Sequence, residues 1–405
     1  SSTDGSLFYW GRERRIMPKE KLKLNTKIAT FYLVLMCIHM QFFEGPTISP
    51  IKVVAMSIAP LIWLARCAYF SKALLFGGLY WLSCFLSAYL HPGFRFSTIA
   101  YSGMFVATFI MFYNLVYKGA FTLEYFIKLV RWMILAYAGC LVLQQCCILV
   151  GIRFMPLINL DNQFFLSITK LPSLSHEPSS SARILGVLFY AYFKCNQYAR
   201  GAAIPFKQWF KGEHKWVTRG FLWAMLTMGS GTAYVVLGIL SLLFLQRKYI
   251  AVAIPLFAAI FLAMPYMENK NLNRATSVVQ ATMTGDVQNV LEADGSAAVR
   301  VLPLINTLNL DFTKEETWIG HGSDVALSNG IFSKQRMIGC INDYGLISYL
   351  LSLMLVFSCC MRWNSIPTLL FVGVLGAGIG NIAYSWAIIM LLTSHLYFCQ
   401  NFSKK

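Results

Sequence analysis

Long stretches without a charged residue constrain this chain more than any other feature. Seven such runs occur, at 73–94, 96–117, 132–152, 220–246, 249–267, 344–361 and 363–403. About 20 helical residues cross the hydrocarbon core of a bilayer, so most of these runs are long enough to span it. Only 13% of the residues are charged, against about 25% in ordinary soluble domains. The sequence therefore excludes a soluble globular enzyme and predicts an all-α polytopic membrane protein.

Basic residues predict the orientation of these helices. Lysine and arginine number 34 against 17 aspartates and glutamates, and they concentrate in loops that the positive-inside rule assigns to the cytoplasm. The pattern predicts about 12 transmembrane helices with both termini in the cytoplasm. The basic, polar start of the chain predicts no cleavable signal peptide. The expected spans are 28–43, 51–68, 73–90, 97–117, 132–151, 184–200, two short helices within 220–246, then 249–266, 345–361, 366–380 and 383–399.

The same charges divide the chain into four regions. Residues 1–27 are expected to form a basic cytoplasmic N-terminus, 28–266 the membrane helices with an outer loop at 152–182, and 344–405 the C-terminal membrane helices. Between them, 267–343 carries six basic and nine acidic residues. This reversal of charge predicts a long periplasmic loop, with one or two short helices between Ala281 and Leu302. Lys52 and Arg66, near the ends of one span, are expected to reach the membrane interface.

The run at 220–246 has basic residues on both flanks, so both flanks are expected in the cytoplasm. It is too short for two full spans. The sequence Met228-Gly229-Ser230-Gly231-Thr232 near its middle predicts two short helices that meet at a glycine break. Irregular backbone inside a membrane must be covered by protein or water, which predicts a water-filled cavity here. One long tilted helix is the alternative.

Known cofactor and metal motifs do not occur in the sequence. The 11 cysteines lie mostly in apolar runs, where a free thiol behaves as a small apolar group. We find no metal-ligand spacing, no Walker motif and no dinucleotide fingerprint. The sequence therefore predicts neither a cofactor nor a metal ion.

The outer segment 171–183 carries the first group of candidate functional residues. It places His176, Glu177 and Arg183 at the mouth of a span, with Pro178 in the first helical turn and Glu177 able to cap it. An arginine in the outer half of a span gains nothing from the positive-inside bias, which indicates an anionic partner. The alternatives are helix capping for Glu177 and interface anchoring for Arg183.

The second group lies further along the chain. It contains Arg300, the sequence Gly320-His321-Gly322 and, entering a span, Asn342-Asp343-Tyr344-Gly345. A histidine between two glycines has room around it, and an ordinary imidazole pKa of about 6.5 lets it accept a proton at neutral pH. The alternatives are a structural role for His321 and simple solvation for Arg300.

Together, the outer cations suit a phosphate ligand, because guanidinium groups bind phosphate oxygens in a bidentate manner. No ATP or nucleotide sugar is available outside the cytoplasm, so a lipid-linked pyrophosphate is the expected substrate. The groups that form this expected site are Arg183, Arg274, Arg300 and His321.

The span layout and several short motifs resemble bacterial O-antigen polymerases of the Wzy type, in the wider O-antigen ligase and polymerase superfamily. The resemblance implies a GT-C-like, metal-independent glycosyltransferase of the bacterial inner membrane whose active site faces the periplasm. Such an enzyme transfers a growing polysaccharide from undecaprenyl pyrophosphate to a new lipid-linked repeat unit, and a chain-length regulator is an expected partner. The matching motifs are His176-Glu177-Pro178-Ser179, Gly229-Ser230-Gly231-Thr232, Ser296 to Arg300, Gly320-His321-Gly322 and Tyr344-Gly345.

The resemblance also implies roles for the candidate residues. Arg183 and Arg300 would bind the pyrophosphate leaving group, and Glu177 or His321 would accept the proton of the attacking sugar hydroxyl. Arg274 and His176 are further candidates for substrate binding.

Three other functions compete with the polymerase. An O-antigen ligase transfers the finished chain to lipid A core and shares the donor chemistry, but its phosphorylated acceptor would favour a basic outer loop. A transporter or flippase of polysaccharide or lipid-linked sugar would show symmetric repeats and charges in mid-span. A structural membrane subunit would use the polar loop only to bind a partner.

Overall fold

A computed structural model describes residues 19–39, 49–91, 96–152, 170–244, 306–322 and 341–402, together with Pro303 and Ile338. Within these ranges the chain forms helices and loops without a β-strand. Five of the described helices are long and apolar enough to cross a membrane. The all-helical membrane class is therefore confirmed. The count of about 12 spans and the GT-C-like fold stay predictions, and the expected span at 249–266 lies outside the described residues.

The helix bounds follow the uncharged runs closely in places and depart from them in others. α3 and α4 begin within one residue of the expected spans, whereas α5 begins at Leu123, because Thr122 caps it by accepting a hydrogen bond from the Tyr125 N–H at 3.2 Å. A π-helical turn, Trp63–Cys67, continues α2. In chain order the helices are α1 Lys19–Cys37, α2 Pro50–Ile62, α3 Lys72–Leu90, α4 Phe96–Tyr117, α5 Leu123–Leu149, α6 Pro178–Arg200, α7 Phe206–Lys211, α8 Lys215–Thr227, α9 Gly231–Ser241, α10 Glu315–Ile319, α11 Ile341–Cys359, α12 Ile366–Leu375 and α13 Ala383–Phe402.

Basic side chains gather at one end of the helix bundle, which we call the basic end. There Arg66 donates to the Asn25 side chain at 2.8 Å, Lys118 donates to the Arg66 carbonyl at 3.0 Å, and Arg200 pairs with Glu213. The other end, which we call the opposite end, contains the last turn of α3 and the first turns of α4 and α11. Ser87 in that turn of α3 donates to the carbonyl of Ile319, so α10 also lies at the opposite end.

The central helix of the described bundle is α6. Every residue from Ser179 to Phe193 is buried except Arg183, which is half-buried. Neighbouring helices surround it, namely α5, α8, α9, α12 and α13. At Gly186 an added Cβ would overlap Val236 of α9, so a glycine is needed for this close approach. Because protein rather than lipid covers α6, the helix can carry polar residues that a lipid-facing span could not.

The pair α8 and α9 confirms the expected two short helices within 220–246. The chain turns at Met228-Gly229-Ser230, where the glycine has a left-handed φ of 70°. Thr227 accepts a hydrogen bond from Gln145, near the far end of α5, at 2.9 Å. Phe244, just after α9, packs on Phe206 at the basic end, with ring centroids 5.2 Å apart. Both flanks therefore lie at the basic end, and the single long helix is wrong, whereas the water-filled cavity stays a prediction.

α13 begins deeper in the bundle than α4 does, nearer to the basic end. Trp386, in the first turn of α13, stacks on Phe105 of α4 with centroids 5.9 Å apart. Phe105 is nine residues inside α4, so at about 1.5 Å per residue α13 begins about 9 Å below the start of α4. Arg183 contacts Tyr384 in the first turn of α13, so Arg183 shares this depth, whereas α6 itself begins five residues earlier.

His214 at the basic end is expected to make stability depend on pH. Its ring stacks on Trp209 with centroids 4.4 Å apart, and Nδ1 lies 2.8 Å from the Tyr192 hydroxyl. Burial lowers the pKa of His214 below its ordinary value of 6.5, against the opposing effect of Glu213. Below that ordinary value the unfolded chain binds a proton that the folded chain does not, so stability falls as the pH falls.

Thermal unfolding of the protein in detergent between pH 7.5 and 5 checks this expectation. We expect His214→Gln to retain the hydrogen bond with Tyr192 and to weaken the pH dependence, with about 2–4 °C in Tm for each kcal/mol of stability involved. An identical pH profile for His214→Gln and the natural protein would contradict it.

Candidate functional site

The polar segment before α6 lies inside the bundle rather than on its surface. Leu171, Ser173 and Ser175 are buried. The Ser173 N–H donates to the Gln144 side chain at 2.8 Å, and the Gln144 amide donates back to the Ser173 carbonyl at 3.0 Å. The Ser175 hydroxyl lies 3.1 Å from that of Tyr137. Side chains of α5 therefore supply the hydrogen bonds that non-helical backbone needs inside a membrane.

A second histidine joins His176 at this place. The backbone N–H of His39, just after α1, donates to the carbonyl of Leu174 at 2.8 Å. The His39 and His176 ring centroids are 4.9 Å apart. Sequence reasoning missed His39, because a histidine at the end of an apolar run belongs to no motif. The contact brings two titratable rings to the residues that precede α6.

Arg183 is the cation of this region. One of its guanidinium N–H groups donates to the Tyr384 hydroxyl, and the guanidinium carbon lies 5.0 Å from the centroid of the same ring. Its Nε atom is buried without a hydrogen-bond partner, and no described carboxylate pairs with the guanidinium. An arginine within a membrane usually pairs with an anion or a polar group. The unused N–H donors of Arg183 therefore suit an anionic ligand.

Glu177 occupies the N-cap position of α6, and Pro178 lies in the first turn as expected. The expected capping by the Glu177 side chain is wrong, since its carboxylate makes no capping hydrogen bond. It instead accepts a hydrogen bond from the Ser179 hydroxyl at 3.1 Å, and it is exposed. Six positions separate Glu177 from Arg183, which corresponds to about 9 Å along the helix axis.

His321 lies at the opposite end, on a loop that α11 holds in place. Its backbone N–H and that of Gly322 donate to the carbonyls of Asn342 and Asp343, each at 3.0 Å. On the ring, Nδ1 lies 3.2 Å from the Asn342 carbonyl and Nε2 lies 3.3 Å from a Glu316 carboxylate oxygen. Both ring nitrogens therefore face oxygen acceptors.

Two glycines allow this loop to approach α11. Gly320 and Gly345 have φ values of 81° and 82°, in the left-handed region that favours glycine. A Cβ on Gly345 would overlap the carbonyl of Trp318, and a Cβ on Gly320 would overlap that of Asp343. Gly320, next to His321, and Gly345, in the first turns of α11, therefore form one contact through which the loop docks on α11.

The structure places His176, Glu177 and Arg183 on one segment at the start of α6, but no hydrogen bond or ion pair between described residues joins Glu177 to Arg183. No hydrogen bond or ion pair between described residues joins His321 to Glu177 or Arg183. The expected substrate-binding residues Arg274 and Arg300 lie outside the described residues, as do the helices expected between Ala281 and Leu302. Their roles stay predictions.

Lys52 is a cation whose location the sequence reasoning misjudged. The expected interface position is wrong, because the side chain is only 5% exposed. Lys52 lies in the first turn of α2, near Cys37 at the end of α1. The carbonyl of Cys37 accepts a hydrogen bond from Tyr137, which also contacts Ser175. Lys52 therefore belongs to the same buried polar layer as the residues that precede α6.

The residues of this layer come from four separate parts of the sequence: the end of α1, the second half of α5 and the starts of α2 and α6. Tyr384 adds a fifth, at the start of α13. Known proteins offer no guide to their function, because no family model, no curated protein and no solved structure matches this chain.

Proposed function

We propose that this chain is a bacterial inner-membrane glycosyltransferase, an O-antigen polymerase of the Wzy type. It would polymerise undecaprenyl-pyrophosphate-linked repeat units on the periplasmic face without a metal ion. The basic end then faces the cytoplasm by the positive-inside rule. The observation that carries the proposal is Arg183, a guanidinium below the level of the opposite end whose remaining donors are unused within the described residues.

The surroundings of Arg183 suit a ligand whose negative charge increases during the reaction, such as a departing pyrophosphate. Tyr384 holds one side of the guanidinium through its hydroxyl and its ring, so the group is fixed before a ligand binds. Arg183 lies beside the first turn of α13, and the positive end of a helix dipole favours negative charge. Fixed donors of this kind lower the barrier for a departing pyrophosphate, because they need no reorganisation when its charge develops.

Glu177 suits the role of proton acceptor better than His321. Its carboxylate is exposed, and it keeps free acceptor capacity beside the bond from Ser179. Both ring nitrogens of His321 already contact protein oxygens, so the ring must leave Glu316 before it can contact a sugar hydroxyl. In the proposed reaction Glu177 takes the proton of the attacking sugar hydroxyl, the new glycosidic bond forms, and the bond to the pyrophosphate breaks.

Purified full-length protein incubated with a synthetic lipid-linked repeat unit tests this function. We expect chain growth with EDTA present and without any nucleotide sugar. Transfer to lipid A core without chain growth would instead identify a ligase. Movement of the intact repeat unit across a vesicle membrane, without a new glycosidic bond, would identify a flippase and overturn the proposal.

A further inference from the structure

Helices α5 and α8 pack side by side and run in the same direction from the basic end. A Cβ added to Gly220 would lie 3.2 Å from the Cβ of Ala138. Seven residues further along each helix, the Gln145 side chain donates to the Thr227 hydroxyl at 2.9 Å. The two helices therefore keep one register, and their turns nearest the basic end can be compared level by level.

Cations from both helices lie on the outer side of this contact. Counted back from its first pair of residues, Arg131 and Lys215 are seven and five residues nearer the basic end, so they lie within about 3 Å of each other along the helix axes. Lys128 lies one turn before Arg131, and both are exposed, whereas Lys215 is half-buried. Besides burial, the charges of Arg200 and Arg131 lower the pKa of His214, which directly precedes Lys215. Both helices pack on α6 with their buried sides, so Lys128, Arg131 and Lys215 form one outer surface, which we call the α5–α8 surface.

Within the described residues, little negative charge balances the α5–α8 surface. Glu124, one turn before Lys128 on α5, forms no ion pair with it. Glu213, just before α8, pairs with Arg200 instead. The α5–α8 surface therefore complements an anion.

Two exposed tryptophans place the α5–α8 surface at the boundary between water and lipid. Trp132, next to Arg131, is 70% exposed, and Trp216, next to Lys215, is 60% exposed. The Lys215 ammonium lies 5.7 Å from the centroid of the Trp216 ring, and Arg219 lies over the same ring. Indole rings have an apolar face and a polar N–H, and they favour the headgroup level of a bilayer. The ligand that fits here is a membrane lipid with an anionic head rather than a soluble anion.

The arrangement of the cations favours a lipid with two phosphates. They come from two packed helices, whose axes lie about 8–10 Å apart. A lipid with one phosphate reaches the cations of one helix, whereas cardiolipin carries two phosphates joined through one glycerol and reaches both. Deeper in the membrane, Leu143 on α5 and Trp223 and Leu226 on α8 are exposed, so acyl chains that descend from the headgroup have apolar side chains to contact.

We propose that the α5–α8 surface binds cardiolipin at the basic end, with one phosphate at Lys128 and Arg131 and the other at Lys215. This inference goes beyond the proposed function and does not rest on it, because it needs only a membrane protein with these two helices. Arg131 binds its phosphate through two guanidinium N–H groups and Lys215 through its ammonium group. The acyl chains lie along Trp223 and Leu226.

Native mass spectrometry of the full-length protein in detergent, titrated with cardiolipin, tests the inference. We expect one cardiolipin to stay bound to the natural protein. Arg131→Gln combined with Lys215→Gln should weaken its binding about tenfold or more, because each removed cation takes away a charge-assisted hydrogen bond to a phosphate. Arg131→Lys combined with Lys215→Arg keeps both charges and should retain most of the binding.

Lys23→Gln combined with Arg362→Gln is the matched control, because it removes two exposed cations from α1 and from the loop after α11. We expect this variant to bind cardiolipin like the natural protein. Equal weakening in the control would overturn the inference, because binding would then follow net charge alone. Equal affinity for phosphatidylglycerol at the same phosphate concentration would also overturn it, since a single phosphate would be sufficient.

Photolabelling of the natural protein locates the lipid without any substitution. A cardiolipin with photoreactive acyl chains is expected to label residues within 132–146 and 216–227, which mass spectrometry of the labelled peptides identifies. Labelling confined to other helices would show that cardiolipin binds away from the α5–α8 surface and would overturn the inference.

Discussion

Replacing Arg183 with alanine is expected to lower the rate of chain growth by about 100-fold or more, the effect of removing one fixed donor from a developing negative charge. The loss should appear mainly in kcat, since the guanidinium is expected to gain most when the pyrophosphate departs. Arg183→Lys should recover only part of the rate, because an ammonium group cannot bind two phosphate oxygens in the planar manner of a guanidinium. The measurement is single-turnover chain growth with a synthetic lipid-linked repeat unit.

Tyr384→Phe separates positioning from binding in the same assay. The variant keeps the aromatic ring under the guanidinium but loses the hydroxyl that accepts its N–H. We expect a smaller loss of rate than for Arg183→Ala. Arg219→Ala at the basic end is the control for removal of a positive charge, since Arg219 is exposed beside Trp216. Full activity in Arg183→Ala, with normal expression and Tm, would show that the phosphate binds elsewhere.

Replacing Gly345 with alanine is expected to detach the His321 loop from α11. The new Cβ would overlap the Trp318 carbonyl, and the left-handed φ would add a cost of about 1–2 kcal/mol for a residue with a side chain. The backbone hydrogen bonds from His321 and Gly322 to α11 should then break. Hydrogen exchange measures this directly, as faster exchange of the amides at 321 and 322.

A second glycine variant separates the steric overlap of the new Cβ from the conformational cost of the left-handed φ. Gly119 has a φ of 80°, but an added Cβ meets nothing within 4 Å. Gly119→Ala should therefore show only the conformational cost, with unchanged exchange at 321 and 322. If Gly345→Ala kept the natural exchange rates, the docking of this loop on α11 would be wrong. If the amides at 321 and 322 exchanged faster in Gly345→Ala while chain growth was retained, the His321 loop would have no part in the reaction.

Charge-free runs predicted two of the spans well. α3 and α4 agree with the expected spans to within one residue, because each is apolar along its whole length. The same criterion misplaced the start of α6 at 184. Protein surrounds that helix, so Ser179, Ser180 and Ser181 can lie in its first turn, buried among neighbouring residues.

The candidate site was only partly predictable, for a different reason. His176, Glu177 and Arg183 lie within eight positions of one another, so one segment revealed all three. His39, Lys52 and Tyr384 reach the site from other helices, and their side chains carry no local signal of that contact. Lys52 was assigned to the interface because a lysine near a helix end commonly extends there, and only the packing of α1 against α2 shows that it turns inward.

The depth of Arg183, level with the start of α13, bears on how a lipid-linked substrate could reach the site. A phosphate that binds at Arg183, below the tops of α4 and α5, stays near the boundary where its own hydrocarbon anchor already resides. Withdrawing such an anchor into water costs about 0.8 kcal/mol for each methylene group exposed. Because Arg183 lies this deep, the hydrocarbon chain of the substrate can stay in the membrane while the phosphate binds. Lateral diffusion within the leaflet is then sufficient for the substrate to arrive and for the product to leave.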